Sequence, residues 1–422
     1  MSRLTSPKTA DPATGKAADT AADRADASAA RWGWPLARVA AAAASYFLAA
    51  GILWLSSELA NRWHVGWFPL LGLAADIGLL VAAGAWLSRR GHALSATVGP
   101  LLALLAVVFL FAAADWLRNG DQASFWTMRS LRTAAVQTST IAVAALGMTV
   151  IIIAGGIDLS VGTALSLAAT VLAWGLERCW GAGPSIAACL ATGCLAGLIN
   201  VLLTSLLKVV PFIITLGTMT AYLGLGNMLA KETTVRPPPS AVPAWLPSLV
   251  TPLPKPLWLW EPLVPNFGWG VWLALGLALL LAALLHLTVF GRHVFAIGSN
   301  QRAAQLCGIN VGRTKVLVYA LAGLFTGIAG MYLFTRLSSG SPPSGRGLEL
   351  KIIAAVVIGG GSLSGGRGSV VGTLTGAAIM QVIGSGSTAL ELTNSTQDII
   401  VGAIIVAAVT LDQWRGRRLE RG

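Results

Sequence analysis

Charged side chains are scarce in this sequence. Only 11% of its 422 residues are Asp, Glu, Lys or Arg, and 55% are hydrophobic, whereas soluble domains carry about 25% charged residues. Apolar runs of about 20 residues recur along the chain, and each can cross a bilayer core of roughly 30 Å. The chain is therefore predicted to be an all-α polytopic membrane protein.

Residue clusters that carry out catalysis are also lacking. The four cysteines and four histidines show no spacing typical of a metal site or a disulfide framework. No G-x-x-x-x-G-K-[ST] sequence occurs, so a nucleotide-binding P-loop is excluded. We therefore expect no catalytic residue, metal or cofactor in this chain, and a membrane enzyme is the least favoured function.

The sequence has 29 Lys and Arg against 17 Asp and Glu. Because the basic residues lie in short loops and at the ends of the chain, they indicate membrane orientation and not a nucleic-acid footprint. With both termini in the cytoplasm, the clusters at 89–90, 292–315 and 415–421 all fall inside. Residues 117–136 contain three arginines yet would lie outside, which is the one disagreement with this topology.

The apolar segments predict four regions, at 1–31, 32–116, 117–413 and 414–422. The first is a disordered cytoplasmic tail and the last a basic cytoplasmic tail. The second contains N-terminal transmembrane helices, and the third is the main transmembrane domain. Twelve apolar segments are expected, of which the tenth is short enough to be a half-helix. They lie at residues 36–57, 65–87, 94–116, 137–154, 159–177, 184–206, 211–230, 267–290, 316–336, 349–361, 369–386 and 397–413.

Two further features stand apart from these segments. The 231–266 loop holds ten of the nineteen prolines, so we expect a stiff, irregular external loop, either a docking surface or a long connection. Asp76 lies midway along the second segment, where a carboxylate needs a partner or water. Structural pairing with a neighbouring helix is favoured over a proton relay.

The stretch from Gly147 to Gly162 is the most informative. An apolar helix breaks at Gly155-Gly156, places Asp158 at the break, and restarts as another apolar helix. Loose backbone at membrane depth must be buried in protein or face water, and an ionisable group beside it indicates a functional site. Asp158 and Ser160 equally suit the cap of the following helix, so a site and a capped hairpin are both open.

Small residues spaced four apart predict close helix packing. These glycines are Gly193 and Gly197, Gly323 and Gly327, and Gly368, Gly372 and Gly376.

The inside loop at 291–316 is predicted to contain a short exposed helix. Asn300 can cap this helix, and Gly308 can end it in a left-handed turn. Ala303, Ala304 and Leu306 lie between them. The helix suits insertion into a partner's groove, or an amphipathic connector on the membrane surface.

Three blocks of the sequence resemble the permease subunit of ribose-type ABC importers, which serve ribose, xylose, arabinose and other small sugars. They are Gly147–Gly162, Pro211–Met219 and Gly291–Gly376. The resemblance covers most of residues 120–412. It implies a core of about ten helices, and it does not extend to the first two apolar segments.

The resemblance also implies partners. The 291–316 loop would be gripped by ABC ATPase subunits, which use ATP and Mg, through Asn300, Ala303, Ala304, Leu306 and Gly308. Affinity would reside in an extracytoplasmic sugar-binding protein, and the permease would be a homodimer or pair with a second permease in the bacterial inner membrane. The family commonly has a glutamate where Arg302 stands and an aspartate where Lys351 stands, so the local ion pairs differ here.

A sugar path should be weakly polar, because stripping water from hydroxyls without replacing their hydrogen bonds costs several kcal/mol. Glu349 is assigned either to contact with the binding protein or to support of the half-helix that follows. A branched-chain amino-acid type of ABC permease and an ion-coupled secondary transporter, with its discontinuous helices, are the alternatives. The residues expected to line the path are Thr149, Asp158, Ser160, Thr163, Asn200, Thr215 and Thr218.

Overall fold

The computed structural model describes residues 95–125, 127–251 and 267–420. Within these ranges the chain is helical, and the strand-like pairing is a single isolated bridge between Val235 and Gly340.

The predicted tail at 1–31, the apolar segments at 36–57 and 65–87, and Asp76 lie outside the described residues, as does most of the second half of the proline-rich loop.

Twelve α-helices are found in the described part of the chain, and several are joined by very short turns. They are α1 (Ser95–Asn119), α2 (Met128–Ile153), α3 (Val161–Glu177), α4 (Ala182–Leu207), α5 (Pro211–Leu229), α6 (Trp269–Leu287), α7 (Val289–Ser299), α8 (Gln301–Leu306), α9 (Val311–Leu337), α10 (Leu348–Ile358), α11 (Val370–Ala389) and α12 (Asn394–Glu420).

Seven of these described helices are long and apolar enough to cross a membrane, namely α1, α2, α4, α5, α6, α9 and α11. The chain is therefore a polytopic membrane protein whose described part is all-helical. The helix α10 has only 11 residues, which agrees with the half-helix expected at 349–361.

Two predicted boundaries were wrong. The segment expected at 137–154 starts at Met128, because Thr127 caps the helix by accepting a hydrogen bond from the Ser130 N–H at 3.2 Å. The first turns are polar, so hydropathy does not detect them. The segment expected at 267–290 ends at Leu287, because Thr288 is extended and caps α7 through the Gly291 N–H at 3.3 Å.

Helices α2 and α9 form the centre of the bundle, and each spans about 40 Å at 1.5 Å per residue. Helix α9 packs on α4 through the glycines at both surfaces. A Cβ at Gly193 would collide with the backbone of Gly323 and Gly327, and one at Gly197 would collide with the Tyr319 carbonyl. These backbones approach each other closely because side chains are absent.

Helix α3 starts inside the bundle. Gly330 of α9 lies against the Leu165 carbonyl of α3, and farther along, Gly340 lies against Thr170. Helix α3 therefore runs parallel to the last third of α9.

The chain after α9 folds back into the bundle. It passes Thr170 of α3 at Gly340 and reaches Gly162 at Gly345. Helix α10 continues in the same direction, and its far end, Gly359, packs on Gly372 of α11. Helices α3 and α10 thus begin close together within the bundle and run in opposite directions.

Candidate functional site

The break after α2 is a tight turn of backbone. Gly155 has φ +80°, a conformation that favours glycine. The N–H groups of Gly155 and Gly156 donate to the carbonyls of Ile152 and Ile151, both at 2.9 Å. Because these bonds satisfy the last carbonyls of α2, the break is an ordered helix end.

Asp158 follows the break and is 7% exposed. Its Oδ1 accepts hydrogen bonds from the Ser160 N–H at 2.8 Å and the Ser160 hydroxyl at 2.6 Å. Its Oδ2 accepts a hydrogen bond from Asn200 Nδ2 at 3.1 Å. A buried carboxylate is tolerable only when its oxygens are hydrogen-bonded, and here both are.

The expected side-chain cap by Ser160 is not formed. Ser160 stands at the start of α3, but its hydroxyl makes no bond to that helix's free N–H groups. It donates instead to Asp158 and accepts from Asn200 Nδ2 at 2.8 Å. The Ser160 oxygen thus accepts from Asn200 in place of a free N–H of α3, while its proton bonds to Asp158.

Asn200 of α4 is fully buried and joins this turn to α5. Its Oδ1 accepts hydrogen bonds from the Thr218 hydroxyl at 2.7 Å and the Tyr222 hydroxyl at 3.2 Å. Thr215 completes the set, since its hydroxyl accepts from the Leu159 N–H at 3.1 Å. We call Asp158, Ser160, Asn200, Thr215, Thr218 and Tyr222 the Asn200 network.

The structure thus brings together five of the seven residues expected to line the path. Thr163 lies beside them, and its hydroxyl donates to the Ser160 carbonyl at 3.0 Å. Thr149 lies elsewhere on α2, where its hydroxyl is hydrogen-bonded to that of Thr373 on α11 at 2.7 Å. The seven are buried, and their polar atoms bond to other protein groups.

Two tyrosines near the break were missed by the sequence analysis. Tyr222 shares one helix face with Thr215 and Thr218, and this spacing of three and four was a usable signal. The Tyr319 hydroxyl is buried without a hydrogen-bond partner among the described residues, and a Cβ at Gly156 would lie 2.8 Å from it. No pattern in the sequence pointed to Tyr319.

A backbone junction joins the break to two other segments. The Gly366 N–H donates to the Ile153 carbonyl at 2.9 Å. A Cβ on Gly298, at the end of α7, would collide with that same carbonyl and with the Gly366 nitrogen. We call Ile153, Gly298 and Gly366 the glycine junction. The glycine-rich 359–368 run is therefore a turn against the end of α2, with Gly360, Gly365 and Gly366 at positive φ.

The predicted short helix at 291–316 is present as α8. The Asn300 Oδ1 caps it by accepting from the Ala303 N–H at 3.0 Å, and Gly308 follows it at φ +83°. Leu306 is 90% exposed, whereas Ala304 is buried with Ile297 and Val311. The face that α8 offers to a partner therefore carries Leu306 and the exposed Ala303.

Glu349 lies in the first turn of α10. Its Oε1 accepts a hydrogen bond from the Gly347 N–H at 3.0 Å. Its Oε2 is buried without a partner among the described residues and lies where a Cβ of Gly162, in α3, would be. Glu349 therefore stands at the starts of both short helices.

The described residues thus form a helical membrane bundle with a break after α2, a backbone junction at that break and an exposed short helix at the same end. The chain belongs to the family described as "Branched-chain amino acid transport system / permease component", which it matches over residues 130–409. The family is named for amino acids, but the similar characterised proteins below transport sugars.

The chain is 35% identical over 317 residues to the ribose import permease protein RbsC of Escherichia coli strain K12, covering 73% of this chain and 92% of that protein. It is 36% identical over 326 residues to RbsC of Bacillus subtilis strain 168, covering 75% and 92%. It is 33% identical over 368 residues to the xylose transport system permease protein XylH of E. coli strain K12, again covering 75% and 92%. No solved structure matches the chain significantly.

Proposed function

We propose that this chain is the membrane-spanning permease of an ATP-driven, binding-protein-dependent importer of a small sugar. The observation that carries the proposal is its similarity, over about three quarters of its length, to ribose and xylose permeases. The sugar reading is favoured over the amino-acid type for the same reason. The translocation path would be provided by this chain, and ATP hydrolysis by a partner subunit.

The proposed complex places the permease in the bacterial inner membrane with both termini in the cytoplasm. Ten core helices would be preceded by the two segments at 36–57 and 65–87. The partners are an ABC ATPase, an extracytoplasmic sugar-binding protein, and a second copy of this chain or another permease. The seven buried residues, six beside the break and Thr149 elsewhere on α2, keep their predicted role as path lining, with polar atoms that the sugar's hydroxyls would engage as the path opens.

Helix α8 supports the ATPase part of the proposal. Leu306 of this capped helix is 90% exposed. A partner that covers it would stabilise the complex, because burying a leucine side chain contributes roughly 1.5–3 kcal/mol. Helix α7 connects α8 to the glycine junction, so a displacement of α8 would reach the break beside Asp158. This connection gives the nucleotide cycle a route to the proposed path.

The test of function is uptake of radiolabelled ribose and xylose by proteoliposomes that contain the purified complex with ATP. Uptake should need ATP and the binding protein, and should survive collapse of the proton and sodium gradients. Uphill accumulation by the chain alone, or loss of uptake when the gradients collapse, would show an ion-coupled carrier.

Replacing Leu306 by serine should weaken capture of the ATPase subunit in mild detergent by about tenfold, which corresponds to 1.4 kcal/mol. The matched control is Met228→Ser, which changes an apolar side chain that is 75% exposed at the end of α5. Capture by L306S at the level of M228S would remove α8 as the docking element. Changes at Ala304 are unsuitable for this test, because that side chain is buried.

A further inference from the structure

A cavity of about 410 Å³ lies between the start of α2, the end of α9 and the proline-rich loop. It is at the opposite end of the bundle from α8, because α2 and α9 each span about 40 Å and their other ends meet the α7–α8 region. Its described lining residues are Arg129, Arg132, Thr133, Val136, Gln137, Val250, Phe267, Gly268 and Arg336.

Three guanidinium groups therefore surround one space. Arg129 and Arg132 lie three residues apart, so they share a face of α2, and Arg336 comes from the last turn of α9. Among the residues that the structure describes, no carboxylate forms an ion pair with any of them. The Arg132 Nε is also buried without a hydrogen-bond partner. Like charges gathered in this way repel, and a bound anion would relieve both the repulsion and the unmade hydrogen bond.

The residues of α2 that line the cavity continue beyond Arg132 along the helix. Thr133, Val136 and Gln137 extend the same face, so the lining follows the helix over nine residues, a rise of about 12 Å. Val136, Val250 and Phe267 make much of this wall apolar. Guanidinium groups and apolar side chains line the same cavity, which matches a molecule that has an anionic head joined to an apolar body.

The volume of the cavity distinguishes a lipid headgroup from a free phosphate ion as the source of a bound phosphate group. One water occupies about 30 Å³ of liquid, so the cavity has the volume of roughly a dozen waters. A free phosphate ion would leave most of that space to solvent, whereas a lipid headgroup with its glycerol would fill it. Exposed Trp269 follows the lining residues Phe267 and Gly268, and tryptophan at a helix end is typical of the membrane interface.

We propose that this cavity binds the phosphate group of an anionic phospholipid, held by Arg129, Arg132 and Arg336. Arginine binds phosphate oxygens through paired N–H donors. The lipid would connect α2 to α9 at this end of the bundle. The site is separate from the Asn200 network and from α8, and it does not depend on which solute is transported.

Native mass spectrometry of the purified full-length chain, titrated with phosphatidylglycerol, tests the proposal. Wild-type protein should retain phosphatidylglycerol at least about tenfold more tightly than the double variant Arg132→Gln/Arg336→Gln. The control is Arg178→Gln, which removes one charge from an exposed arginine that stacks on Trp174 at 4.2 Å. Equal retention by wild type and the double variant would overturn the proposal.

Further arms identify what occupies the cavity. Inorganic phosphate at millimolar concentration should fail to displace the lipid. If inorganic phosphate binds to the chain in the absence of lipid, the proposal that the bound phosphate group belongs to a lipid would be overturned. If the double variant retains lipid but loses capture of an acidic partner protein, the cavity is a protein-docking site and the proposal is wrong.

The double variant Arg132→Lys/Arg336→Lys keeps the proposal testable if the double glutamine variant does not fold. It keeps both charges and should keep most of the binding. If the lysine variant unfolds cooperatively but retains phosphatidylglycerol about tenfold or more weakly than the wild type, the proposal would also be overturned.

Discussion

Replacing Asn200 by leucine should lower the free energy of unfolding by about 3 kcal/mol, because each lost hydrogen bond contributes about 1 kcal/mol and a buried polar atom left without a partner costs about 1–3 kcal/mol. Leucine has the same branching and the same number of side-chain heavy atoms as asparagine and is not smaller, so no cavity accompanies the change. The Asp158 Oδ2 would lose the one hydrogen bond that the structure gives it.

The effect of Asn200→Leu should appear as a fall of several degrees in the thermal unfolding midpoint of the purified chain. The control is Thr192→Val on the same helix, because the Thr192 hydroxyl bonds only to its own helix, at the Ala188 carbonyl at 2.7 Å. A midpoint for N200L within a degree of the control would contradict the structural importance of the Asn200 network.

The second large effect is expected at the glycine junction. Replacing Gly298 by alanine places a methyl group against the Ile153 carbonyl and the Gly366 nitrogen. Backbone atoms cannot move aside as a flexible side chain can, so α7 must shift away from the end of α2. We expect sugar uptake per ATP hydrolysed to fall by about tenfold or more, equivalent to 1.4 kcal/mol.

The control for Gly298→Ala is Gly312→Ala in the neighbouring helix, where the nearest atom to a Cβ is the Asn310 Oδ1 at 3.6 Å. Both variants are assayed in the same reconstituted complex, with ATP hydrolysis and uptake measured together. Uptake per ATP in G298A equal to that in G312A would show that the glycine junction does not couple the two activities. Loss of ATPase capture by G298A would instead place its effect at α8.

Much of the fold could be predicted from the sequence, because lipid restricts backbone strongly. Apolar length located the membrane-spanning helices from 94–116 onward, and the Asn300 and Gly308 signals located α8, whereas α7 had no predicted counterpart. The start of α2 at Met128 could not be found in this way. Its first turns carry Arg129 and Arg132, which are polar because they face a cavity and not lipid.

The candidate site was predicted in part. The break and Asp158 were visible because an ionisable residue beside adjacent glycines is unusual in an apolar run. The partners of Asp158 were predicted only as members of a polar path. Hydrogen bonding between α4 and α5 depends on which helices become neighbours, and the spacing within one helix does not give that information. The unpartnered Tyr319 hydroxyl had no local signal for the same reason.

The position of Glu349 has an electrical consequence. Each helix N-terminus carries a partial charge of about +0.5, and the starts of α3 and α10 both lie beside this carboxylate. Two such partial charges face one carboxyl group, so the negatively polarised oxygens of a single side chain link the starts of two helices that run in opposite directions.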